Sequence, residues 1–140
     1  MRPPKQIPIY GDTNHRDKNC RSEAAEQKEF FGILKEHYPK LFKIAIHPKN
    51  EGKRSYQSAA IDSNLGALNK GASDIIIPAR LAFVCEMKRA DHTQSTISKA
   101  QIEYLEAAID AGAFGCIALG CEGALMALED WLLFKNRLAT

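Results

Sequence analysis

Three charged residues stand where apolar runs begin or end. Asp74 opens the run Ile75, Ile76, Ile77, and Glu86 and Lys88 close the run that starts at Leu81. Residues two apart on a strand share a face, so Glu86 and Lys88 project together with Val84, while Phe83, Cys85 and Met87 project the other way. If the two runs form a hairpin whose turn is Ala79 to Leu81, Asp74 lies directly opposite Glu86. A two-residue turn would put it on the other face. Neighbouring carboxylates repel, and each resists ionising beside the other. A divalent cation with hard oxygen ligands relieves that conflict, and Mg²⁺ commonly uses one or two carboxylates together with waters and phosphate oxygens. A lysine beside the cation can stabilise charge on a phosphate or position an attacking water. Asp, then Glu-x-Lys, is therefore a compact kit for phosphodiester hydrolysis. A Glu-x-Lys pair alone is also common on solvated strand faces, where such an ion pair contributes little.

The elements that must position these residues follow from periodicity. Ser22 begins a capping-box-like start to "SEAAEQKEFFGILKEHY", with Phe30, Phe31 and Leu34 as its apolar side and Pro39 as its stop. "LFKIAIHP" alternates and predicts a strand over 41–48. A polar, glycine-punctuated stretch follows, with a short helix expected over about 56–65. "DIII" and "LAFVCEMK" predict a hairpin. "TISKAQIEYLEAAIDAG" predicts an amphipathic helix closed by Gly112, "AFGCIALG" a buried strand, and "EGALMALEDWLLFKNRL" a final helix whose Trp131, among leucines, belongs to the core or an interface. The expected fold is α/β: a mixed sheet flanked by helices in the order α-β-β-β-α-β plus a C-terminal helix. Residues 1–21 read as an extended arm and 22–140 as one domain.

The chain has 140 residues, 45% of them apolar and 26% charged, which suits a single core and argues against disorder. No apolar run approaches the roughly 20 residues of a membrane helix. The four cysteines lack C-x-x-C spacing, which argues against a zinc knuckle, and point to a reducing, cytoplasmic setting. The net charge of +2 does not by itself imply nucleic acid, but residues 35–55 hold six Lys or Arg against two Glu. That stretch forms either a local positive surface or an ordinary solvated face. Lys70 and Arg89 flank the acidic pair in sequence and could extend it. His92 is isolated and reads as a surface residue.

In this order the motifs resemble the PD-(D/E)XK nuclease superfamily, and more closely its VRR-NUC family. Glu23 and Gln27 match E-x-x-x-Q on the first helix. "HPKNEGKRS" resembles the asparagine-containing segment, and "LGALNKGASD" ends in G-x-x-D at Asp74. "CEMK" supplies E-x-K, and "SKAQIEYL" supplies S-x-x-Q at Ser98 and Gln101. The chain departs from the family at Ser73, where proline usually precedes the aspartate. The resemblance implies a restriction-endonuclease-like core. It implies Asp74, Glu86 and Glu23 as metal ligands for Mg²⁺ or Mn²⁺, with Glu26 the alternative to Glu23, and Lys88 and Gln101 as further catalytic residues. DNA would be held by His47, Lys49, Asn50, Lys53 and Arg54. The implied activity is endonucleolytic cleavage of structured DNA, such as four-way (Holliday) junctions or flaps, by a homodimer in a bacterial or phage-infected cell. A non-catalytic nucleic-acid-binding module on the same fold is the alternative.

Overall fold

The computed structural model describes residues 1–48 and 70–139. Its elements are β1 (Ile9–Tyr10), α1 (Glu23–His37), α2 (Pro39–Ile44), β2 (Ile75–Ile77), β3 (Phe83–Lys88), a 3₁₀ turn (His92–Gln94), α3 (Lys99–Asp110), β4 (Phe114–Leu119) and α4 (Gly120–Ala139). Four strands form one mixed sheet in the order β1-β4-β3-β2. β1 and β3 run parallel to β4, and β2 runs antiparallel to β3. β3 to α3 to β4 is thus a parallel crossover, as the helix between the two apolar runs predicts.

β3 is buried along its whole length. Phe83, Cys85 and Met87 join Phe30 and Leu34 of α1 and Leu128 and Trp131 of α4 in one core. Val84 faces the other way and packs with Ile117, Leu119 and Leu105 of α3 in a second. Trp131 is fully buried, as its apolar neighbours predict, and its indole N–H donates to the Leu81 carbonyl at 2.8 Å. No helix among the described residues is long and apolar enough to cross a membrane.

Two expectations need correction. The segment 41–48 is not a strand: α1 ends at His37, and Pro39 starts α2 instead of merely stopping α1. Proline at the first helical position is preset in φ and lacks an N–H that would have no partner there. Phe42 N–H then bonds Tyr38 O at 2.9 Å, and only Ile46 pairs with the sheet, as an isolated antiparallel bridge to Ile76. The N-terminal stretch is also more than an arm, since Ile9 and Tyr10 pair with Ile117 and Ala118 at the sheet edge. The short helix expected over 56–65 lies outside the described residues.

α3 is held close to the segment leading into β2. A Cβ built on Gly71 would meet the Ala100 carbonyl oxygen at 2.1 Å and Gln101 N at 2.7 Å, both backbone atoms. Gly71→Ala should therefore push the start of α3 away and destabilise the fold by about 1–3 kcal/mol, the usual cost of overpacking. Urea unfolding measures this, with Gly32→Ala as the contrast: a Cβ there meets nothing within 4 Å, and inside α1 it should stabilise by about 0.5–1 kcal/mol.

Candidate active site

The hairpin register settles which face Asp74 takes. Ile75 pairs with Cys85, Ile76 with Val84 and Ile77 with Phe83, so the next pair outward is Asp74 with Glu86. The Asp74 side chain prolongs the ladder, with Met87 N–H donating to its Oδ2 at 2.9 Å. Its carbonyl accepts from His47 Nδ1 at 2.7 Å, which fixes the proton on that nitrogen because a carbonyl can only accept. The His47 ring also rests edge-on against Phe31, 5.6 Å between centroids.

Glu86 and Lys88 are not a surface pair. They are 1% and 2% exposed, and Lys88 Nζ lies 3.4 Å from Glu86 Oε1. Gln101, on the first turn of α3, locks them together: its Nε2 donates to Glu86 Oε1 at 2.8 Å, and its Oε1 accepts from Lys88 Nζ at 3.2 Å. The same Oε1 accepts from Ser98 N–H at 2.9 Å, while Ser98 Oγ accepts from Gln101 N–H at 3.1 Å. This reciprocal capping box makes one glutamine both a helix cap and a clamp on two charged side chains.

These groups line an open cleft of about 620 Å³ with Glu23, Gln27, His47, Lys70 and Ser98. Glu23 reaches it from the start of α1, where its Oε2 accepts from the Ser95 hydroxyl at 2.9 Å. Glu26 does not line the cleft. It is buried, pairs with Arg21, and accepts from Cys121 N–H at 3.4 Å at the start of α4. Gly120, at φ +70°, leaves no room for a side chain there, since a Cβ would lie 2.6 Å from Glu26 Oε2. Glu26 thus compensates the positive end of a helix.

Burial raises the Glu86 carboxyl to about 9; the Asp74 carboxylate adds to the rise, and Lys88 only partly opposes it. Asp74 is also raised by burial, against the opposing Met87 hydrogen bond and the Lys88 charge. Among the described residues Glu86 Oε2 is buried with no hydrogen-bond partner. Two crowded carboxylates with one oxygen left open fit a hard divalent cation. Among the described residues no three His, Cys, Asp or Glu side chains gather tightly enough to form a cation site by themselves. Asp74 and Glu86 would then be the direct protein ligands, and Glu23, on the cleft wall, would act through water.

Other sequence expectations separate here. Lys70 lines the cleft, but Arg89 is committed to the N-terminal segment, donating to Arg21 O at 3.1 Å and also to Cys20 O. His92 is buried, not a surface residue, and its ring nitrogens face the Met1 and Thr13 carbonyls at 3.1 Å each. Lys49, Asn50, Lys53 and Arg54 lie outside the described residues. Ser95 carries no sequence motif of its own; only closure of the loop after β3 brings it to Glu23.

In the folded, metal-free chain Glu86 keeps its proton until about pH 9, whereas the unfolded chain loses it near 4.5. The unfolded state therefore gains on the folded one as pH rises through that window, by at most about 1.4 kcal/mol per unit for this proton. Thermal melts in chelator should show stability falling from pH 5 to pH 9, as a rough working range for this linkage. Glu86→Gln should flatten that decline, and Mn²⁺ should reverse it in the wild-type chain.

Comparison with family models found no match, and none was found among curated proteins. The structure is similar to a solved structure described as a VRR_NUC domain protein, at a TM-score of 0.61 and 20% sequence identity over 79% of this chain and 87% of that one. At that identity the likeness shows the fold: the chain adopts the restriction-endonuclease-like α/β core, a four-stranded mixed sheet between helices, shared with that VRR_NUC domain protein.

Proposed function

We propose that the protein is a divalent-metal-dependent endonuclease that hydrolyses phosphodiester bonds in structured DNA. One observation carries this reading: Glu86 and Lys88 are buried together beside Asp74, clamped by Gln101, at the wall of an open polar cleft. A structural ion pair has no need of a second carboxylate that raises the pKa of the first. The shared architecture with a VRR_NUC domain protein supports the same assignment.

Asp74 and Glu86 would hold Mg²⁺ or Mn²⁺, and the cation, when bound, would polarise the scissile phosphate and lower the pKa of an attacking water. Lys88 offers its ammonium to the charge that develops at phosphorus, an interaction made mainly in the transition state. Gln101 holds the Lys88–Glu86 pair in one geometry, donating to Glu86 Oε1 and accepting from Lys88 Nζ. Glu23 orients water from the cleft wall. His47 and Lys70, at the cleft, would contact the DNA backbone together with Lys49, Asn50, Lys53 and Arg54. A branched substrate such as a four-way junction or flap, a homodimer, and a reducing cytoplasmic setting belong to the same proposal.

The test is single-turnover cleavage of labelled junction, flap and linear duplex with Mn²⁺ or Mg²⁺. Lys88→Ala should lose at least about 100-fold, roughly 2.7 kcal/mol of barrier. Lys88→Arg should rescue poorly, because a planar guanidinium does not fit a slot built for a compact ammonium. A Lys88→Ala rate within a few-fold of wild type removes the catalytic role. Junction binding without cutting by the wild-type chain would mark a binding module.

The two first-helix acids should part in the same assays. Glu23→Gln should slow cleavage with little change in melting temperature. Glu26→Gln should chiefly cost stability, on the order of 1 kcal/mol for a weakened helix-end interaction. The reverse pattern would transfer the cleft role to Glu26.

A further inference from the structure

The loop between β3 and α3 holds a buried hydroxyl that the proposed chemistry has not used. Ser95 is 5% exposed, and its hydroxyl both accepts and donates a hydrogen bond. The Arg89 backbone N–H, one residue beyond Lys88, donates to Ser95 Oγ at 2.9 Å, and Ser95 Oγ donates to Glu23 Oε2 at 2.9 Å. The direction is forced. A backbone N–H can only donate, so the hydroxyl accepts there and must turn its single proton to Glu23. The Ser95 backbone is fixed as well, its N–H bonding His92 O at 3.1 Å to close the 3₁₀ turn.

We infer that Ser95 is a positioning residue that sets the Glu23 carboxylate relative to Glu86 and Lys88. Glu23 stands on the first turn of α1, and Glu86 and Lys88 stand on β3, so their spacing depends on how α1 is fastened to the end of that strand. Ser95 ties Arg89 N–H directly to the Glu23 side chain, and the Arg89 guanidinium binds the two carbonyls just ahead of α1. The guanidinium fixes the backbone that leads into α1, and Ser95 fixes the carboxylate. The inference rests on the nuclease reading for what Glu23 does. The hydrogen bonds stand without it.

Outer groups that hold the surroundings of a metal in place typically change its affinity by about 10- to 100-fold when removed. The experiment is Mn²⁺ binding by electron paramagnetic resonance of the free ion, with melting temperature and junction cleavage measured on the same samples. Ser95→Ala and Glu23→Gln should each weaken Mn²⁺ binding by about 10-fold, and the double variant should be no weaker than Glu23→Gln alone. Ser95→Thr, which keeps the hydroxyl, should bind near the wild-type affinity. Ser95→Cys is nearly isosteric but a poor donor; it should bind as weakly as the alanine variant and serves in its place if that variant does not fold. Wild-type Mn²⁺ affinity in Ser95→Ala or Ser95→Cys, or losses that multiply in the double variant, overturn the inference while leaving the nuclease reading intact. A wild-type chain that neither binds Mn²⁺ nor cuts DNA overturns both.

Discussion

The structure depends on a strand that is buried on both faces yet ends in charge. β3 supplies apolar side chains to two cores and then, at its C-terminal end, carries Glu86 and Lys88 to the face that α3 covers. A buried carboxylate and ammonium are tolerated only when hydrogen bonds satisfy the atoms that the ion pair leaves over. Gln101 does this for Lys88 and for one Glu86 oxygen, which is why α3 must start where it does and why Gly71 must be small. Among the described residues the remaining Glu86 oxygen has no such partner, and it is this open oxygen that the proposed cation would take.

A cleft-lining acid and a buried acid stand one helical turn apart on α1. Glu23 looks along the cleft, whereas Glu26 faces inward to the start of α4 with Arg21 beside it. Their spacing alone does not separate them, because positions three apart share a side of a helix. The separation comes from what packs against each: a loop serine at one, a glycine at a helix start at the other. The cleft wall and the packing of α4 thus draw on the same fifteen-residue helix.

Much of this was legible in the chain because period and turn chemistry are local. The alternation through Leu81–Lys88 left two registers open, and the observed strand pairs select the one centred on the Ala79–Leu81 turn, which puts Asp74 against Glu86. Gly112, at φ +99°, ends α3 as its position predicts. The segment 41–48 misled because its alternation competes with Pro39, and the helix-starting effect of proline won. The burial of Glu86 and Lys88 could not be read from their pattern, since an exposed strand end carries the same letters. Burial depends on α3 folding back over the strand. Ser95 and His92 were illegible for the same reason: their partners lie 72 and 91 residues away in sequence.

The sheet order has a consequence for how the molecule comes into being. β4 is drawn from residues 114–119, yet it sits between β1, at residues 9–10, and β3. On a ribosome, the hairpin carrying Asp74, Glu86 and Lys88 emerges well before the strand that covers β3's other edge. Until β4 slides in, β3 is an open edge with apolar side chains on it, the kind of surface that invites pairing with other chains. Long-range insertions of this sort are the slow steps of folding. The strand that carries Glu86 and Lys88 thus meets its hairpin partner early and its second neighbour late, so the hairpin waits on one edge for the last third of the chain.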